Sequence, residues 1–141
     1  MIVLDTNVVS ELMRADPDPA VVSWLDAQHA SAVYITAITA AELLFGVERL
    51  PMGKRRTRIG SAIADVLETD FADRVLPFTA SSALEYGRVV AQREQLGHPM
   101  GMADGMIAAT ALSAGASVFA TRNTKNFEDA DLTLFNPWTA T

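Results

Sequence analysis

Three carboxylates and one side-chain amide stand where a fold could gather them: Asp5, Glu42, Asp104 and Asn123. Asp5 ends the apolar run Ile2-Val3-Leu4. Glu42 lies early in the mostly apolar stretch TAAELLFGVERL, and Asp104 is the one charge in GMADGMIAATALSAG. Asn123 sits in the polar turn Thr121-Arg122-Asn123-Thr124-Lys125. Carboxylates that share a crevice repel, and each is driven toward protonation unless a divalent cation neutralises them. An oxygen-only set suits magnesium or manganese. Magnesium takes one or two carboxylates, keeps several waters and leaves positions open for phosphate oxygens. The corresponding chemistry is in-line attack of activated water on a phosphodiester, with no serine, cysteine or histidine nucleophile.

Each of these residues also has a plain structural reading. Asp5 can cap the helix that follows it. Glu42 and Asp104, read as first-turn residues, gain from the amino-terminal partial charge of their helices. Asp104 is the hardest to explain this way. Its helix is apolar around most of its circumference and belongs in the interior, where an unpaired carboxylate is costly.

The elements that must position these groups follow from periodicity. Ile2 to Leu4 suits a strand buried on both faces, with Asp5 at its carboxyl end, the edge at which open α/β sheets bind ligands. Thr6 or Asn7 is expected to cap a helix continuing through Met13. Helices are expected over 17–28, 39–50, 53–69, 81–96 and 100–115, with Trp24 in the core and Thr36 or Thr39 opening the third helix of the chain. Further strands are expected at 32–35, 75–76, 117–121 and 132–135. Strands alternating with helices point to a three-layer α/β domain with a mainly parallel central sheet flanked by helices.

Composition narrows the field. A chain of 141 residues without a composition break fits one domain over residues 1–141. Cysteine is absent and histidine occurs twice, so disulfides and zinc clusters give way to oxygen ligation. Neither a signal segment nor a run of eighteen apolar residues is present, which leads to the expectation of a cytoplasmic protein without membrane association. A net charge of −6 opposes binding of nucleic acid over the whole surface and leaves room for a local basic patch. Lys54, Arg55, Arg56 and Arg58 form the dense basic cluster of an acidic chain, as either a phosphate-contacting surface or a solvated helix face. Arg122 and Lys125 stand beside Asn123 with the same two readings.

Beyond these spacings, the ordered set IVLDTNVVSEL, AITAAELLFGVERL, GMADGMIAATALSAG and ATRNTKNFEDADLTLFNPW resembles the PIN-domain family. It is similar in particular to the VapC toxins of toxin-antitoxin pairs and their FitB-like branch, from Met1 nearly to Trp138. The resemblance implies a metal-dependent endoribonuclease that cleaves RNA, a homodimer, and a small antitoxin protein that silences it. It carries Asp5 and Asp104 onto the principal ligands of magnesium or manganese, and Glu42 onto the acidic residue after the second strand. Asn123 falls where many relatives have a fourth acid, a departure that removes a charge from the site. Thr6 and Thr121 become candidate hydroxyls holding the metal-binding carboxylates.

Two rival functions are open to the same residues. A phosphatase of the haloacid-dehalogenase kind also begins with an aspartate after its first strand, but commonly needs a second one two residues on, where this chain has Asn7. A non-catalytic module could instead use the acidic crevice to receive a partner's basic side chain.

Overall fold

The computed structural model describes residues 1–139. Five strands, β1 (Ile2–Leu4), β2 (Val33–Thr36), β3 (Val75–Leu76), β4 (Val118–Ala120) and β5 (Leu134–Phe135), form one sheet in the order β3-β2-β1-β4-β5. Every pairing in it is parallel. The helices are α1 (Thr6–Leu12), α2 (Pro19–Asp26), α3 (Ala37–Glu48), α4 (Lys54–Asp65), α5 (Ala80–Gln95) and α6 (Met102–Ser113). Parallel neighbours need crossovers; these six helices supply those from β1 through to β4, and the short 3-10 turn Thr124–Phe127 lies in the connection from β4 to β5.

The strands are short and apolar because both faces are covered. Side chains alternate along them, so Leu4, Ile35 and Ala120 enter one core with Val8, Val9, Val21, Leu43, Val47 and Ile63, while Val3 and Phe119 enter another with Ile107, Ala108 and Phe127. Helices α1 to α4 supply the first core, and α6 supplies the second, with α5 packed on α6. The expected three layers are present. The chain runs outward from β1 to β3 with its helices on one face, then returns to β4 on the far side of β1 with α5 and α6 on the other face. Right-handed crossovers require that exchange of faces when the direction of travel reverses.

Local chemistry sets the helix starts. Asp5, in extended conformation, precedes α1 and accepts from the Thr6 amide, so the cap is Asp5 and not Thr6 or Asn7. Asp18 caps α2 ahead of Pro19, and Thr79 and Ser82 form a reciprocal capping box on α5. Thr36 caps α3 by accepting from the Thr39 amide. This places the start of α3 at Ala37, two residues before the sequence expectation, and moves Glu42 out of the first turn. The helix expected over 53–69 divides into α4 and a wider π-type turn, Val66–Asp70, closed by Phe71 donating to the Val66 carbonyl. Trp24 is half-buried and stacks on Phe135 with ring centroids 5.1 Å apart.

Close approach of α5 and α6 depends on Gly105. A Cβ there would lie 2.8 Å from Tyr86 Cε2 and 2.9 Å from Val90 Cγ2, distances that side chains do not tolerate. Gly105 thereby fixes the seat of its neighbour, Asp104.

Candidate active site

Parallel pairing brings the carboxyl ends of β1, β2 and β4 to one edge. Leu4 pairs with Ala120, so Asp5 and Thr121 leave the sheet side by side; the Asp5 amide donates to the Ala120 carbonyl at 2.8 Å. The order of the sheet turns back between β1 and β4, and a crevice opens outside strand ends at such a point. It measures about 500 Å³, and its walls include Asp5, Glu42, Asp104 and Asn123. The four candidates from four distant segments therefore share one space.

Asp5 is 5% exposed. Its Oδ1 accepts from the Thr6 amide at 2.8 Å, and Oδ2 accepts from the Thr121 hydroxyl at 2.7 Å and from Asn7 Nδ2 at 3.3 Å. Burial pushes its pKa up from 3.8 to about 6, against those hydrogen bonds and with added repulsion from Asp104 and Glu42. Asp104, half-buried at the third position of α6, is also raised, first by burial and then by Glu42, with buried Arg93 opposing. The first-turn account of Asp104 stands together with its place in the crevice. That account fails for Glu42, which is exposed in the second turn of α3 and held by the Thr6 hydroxyl at 2.7 Å from Oε1. Thr6 Oγ1 also lies 2.9 Å from Thr39 Oγ1, and Thr39 is fully buried.

The group fits a hydrated hard cation. Its donors are oxygens, its most buried carboxylate is crowded by two others, and magnesium needs one or two carboxylates with water completing the shell. Among the described residues, no group of three or more histidine, cysteine, aspartate or glutamate side chains is arranged to hold an ion directly. The fit is therefore to an open, partly hydrated ion and not to a closed cage.

Thr6 and Thr121 both touch the carboxylates. Asn123 is exposed at the rim, its backbone N–H donating to Thr121 Oγ1 at 3.1 Å. Arg122 lines the crevice, while Lys125 is exposed in the short 3-10 turn Thr124–Phe127 and is not part of the wall. The basic cluster separates. Arg55 and Arg58 line a groove that shares Thr6, Ser10, Arg14 and Glu42 with the crevice. Arg56 instead donates to the Glu48 and Leu50 carbonyls and pairs with the Glu48 carboxylate at 2.9 Å, and Lys54 is exposed at the first position of α4. Sequence reasoning passed over Asn7, Arg14 and Trp138, which also line the crevice. Asn7 carried a signal, since it stands two residues from Asp5; Trp138 carried none beyond its aromatic type.

Comparison with known proteins matches residues 2–132 to the PIN domain family model. The chain is 49% identical to the VapC ribonuclease Y4jK of Sinorhizobium fredii over 138 residues, covering 98% of each chain. It is 42% identical to toxin FitB of Neisseria gonorrhoeae over 138 residues, covering 98% of this chain and 99% of FitB. Among solved structures, it superposes with a TM-score of 0.91 on a chain of FitAB bound to the IR36 DNA fragment, at 40% identity and covering 100% of this chain and 98% of that one. Strand order, the crevice at the turn of the sheet and the extent of these matches agree: the chain belongs to the PIN domain family.

Proposed function

We propose that the chain is a magnesium- or manganese-dependent endoribonuclease, the toxin of a toxin-antitoxin pair. It acts as a single domain in the cytoplasm, forms a homodimer and is silenced by a small antitoxin. The observation that carries this reading is the meeting of Asp5, Glu42 and Asp104 in one crevice, with Asp5 buried and its carboxyl raised to about 6. Carboxylates arranged this way gain most when a cation joins them. The close relatives, a VapC ribonuclease and the toxin FitB, support the same activity and role.

In this reading Asp5 and Asp104 hold the ion. When bound, the ion supplies Lewis acidity that activates water and offsets charge on the phosphate. Thr121 and the Thr6 amide fix the Asp5 carboxylate, and the Thr6 hydroxyl fixes Glu42, which completes the ion's site or orients the attacking water. Asn123 contributes a neutral amide at the rim that positions water or a phosphate oxygen. Arg55 and Arg58, in the adjoining groove, face the RNA backbone.

The antitoxin reading has a physical basis in the same crevice. Acidic walls that attract a cation also attract an arginine or lysine side chain presented by a partner. FitB-like chains have been solved within FitAB assemblies, which supports a partner of this kind here.

RNA incubated with the chain in magnesium or manganese, with chelator and with Asp5→Asn as controls, tests the activity. Cleavage that needs the metal and Asp5 is expected. Metal binding without cleavage would favour the non-catalytic module.

A further inference from the structure

We propose that Arg122 and Trp138 form a stacking platform that holds an unpaired RNA base next to the scissile phosphodiester and so sets where the strand is cut. This rests on the ribonuclease reading of the crevice. The Arg122 guanidinium carbon lies 5.0 Å from the centroid of the Trp138 ring, and both residues line the crevice that contains Asp5 and Asp104. Trp138 is the only aromatic residue among those lining it.

A cation over a surface indole is common and by itself says little. Here the pair is tied to the chemistry by a chain of hydrogen bonds. The Trp138 amide donates to Asn136 Oδ1 at 2.9 Å, and Asn136 Nδ2 donates to the Arg122 carbonyl at 3.5 Å. The Arg122 amide donates to Asn7 Oδ1 at 3.2 Å, and Asn7 Nδ2 donates to Asp5 Oδ2 at 3.3 Å. The indole is half-buried and packs against the apolar core, with the Arg122 guanidinium over its ring. The platform thus has a fixed position relative to Asp5.

A phosphodiester placed at Asp5 brings its flanking bases with it. The remaining walls are mostly acids, hydroxyls, amides and a further arginine, which offer a base no flat apolar face. Indole and guanidinium planes are surfaces on which single-stranded bases stack, and every base has a π-face to present. The adjoining groove sets Arg14, Arg55 and Arg58 among aliphatic side chains such as Met13, Leu43 and Ile59, and holds no aromatic ring on which a base could stack.

The chain has two tryptophans, and Trp24→Phe keeps the stack on Phe135 while leaving Trp138 as the sole indole. In that background, with Asp104→Asn to prevent cleavage, short oligoadenylate should quench Trp138 emission. An abasic oligomer of equal length should bind without quenching. Equal quenching by the abasic strand, or none by oligoadenylate whose binding is seen in polarisation, overturns the platform. In otherwise unaltered protein, Trp138→Ala should raise KM about tenfold with kcat within about twofold and spread the cleavage positions, while Trp138→Phe restores most of both. An unchanged KM and an unchanged cleavage pattern in folded Trp138→Ala also overturn it. Wild-type protein that cleaves no RNA would instead sink the ribonuclease reading, which the quenching result does not depend on.

Discussion

Thr6 donates its hydroxyl to Glu42 Oε1 at 2.7 Å, tying the start of α1 to the second turn of α3. Thr39 stands 2.9 Å behind that hydroxyl, so a short relay from the buried base of α3 ends on an exposed carboxylate. A carboxylate in water does not need such support to be stable. The relay fixes direction, which matters if Glu42 orients a reacting water. Thr6→Val keeps the β-branched shape and removes the hydroxyl; kcat should fall about tenfold with KM within about twofold, in line with the loss of one positioning contact. Thr6→Ser should recover most of the rate. Steady-state cleavage of a defined RNA oligonucleotide measures both.

Neutralising the crevice separates activity from folding. Asp5→Asn and Asp104→Asn should each lower cleavage by at least about a thousandfold, since each removes a ligand charge at the point where phosphate charge is offset. Neither should lower the melting temperature of the metal-free protein, because each removes the cost of burying a charged carboxylate and relieves repulsion among Asp5, Glu42 and Asp104. Calorimetry with and without magnesium checks this: the metal should raise the melting temperature of the wild type and leave both variants unmoved.

Asp5 makes a defined prediction for pH. Its folded pKa, about 6, lies above the ordinary 3.8, so the folded state binds the proton more tightly than the unfolded state between those values. The penalty is absent below pH 3.8, builds as pH rises toward 6 and is complete above it. It amounts to about 3 kcal/mol at most. Metal-free protein should therefore gain stability from this group as pH falls from 7 to 5, and Asp5→Asn should flatten that dependence. Because proton and cation compete for Asp5, magnesium affinity should fall over the same interval, as titration calorimetry at several pH values would show.

The arginines of α4 divide by role. Arg55→Gln with Arg58→Gln should weaken RNA binding and flatten its salt dependence by a slope of about 1.4, the release of counterions by two contacts on a single strand. Arg56→Gln should leave the slope alone and cost about 0.5–1 kcal/mol of stability through its lost bonds to Glu48 and Leu50. Binding isotherms at several salt concentrations distinguish the two.

Gly105→Ala should act on the site through packing. Its Cβ would press on Tyr86 and Val90, at 2.8 and 2.9 Å, and force α6 away from α5. A stability loss of about 1–3 kcal/mol is expected, together with loss of metal affinity as Asp104 moves. Chemical denaturation and a magnesium titration read the two effects separately.

The strands and the crevice were legible because an apolar run stopped by a polar residue is a strong signal in a parallel sheet. Asp5 after Leu4 and Thr121 after Ala120 are both of that kind. Helix starts were less legible: Ala37 and Ile38 continue the apolar character of β2, and only the cap at Thr36 shows where α3 begins. The basic cluster looked uniform because sequence does not say which face of α4 each arginine takes. Trp138 was invisible as a site residue, since its place depends on a path after β5 held by Asn136 and Arg122. What sequence lacks in each case is tertiary direction, not chemical type.

The bond from Thr121 to Asp5 spans 116 residues, and the pairing of β1 with β4 beneath it spans nearly the whole chain. A nascent polypeptide on the ribosome cannot form this contact until its final strands emerge, roughly ten seconds after the first at ordinary elongation rates. Until then the buried carboxylate has neither its hydroxyl partner nor the opposite wall of its crevice. In the ribonuclease reading proposed above, translation itself thus delays activity until the last strands close the crevice.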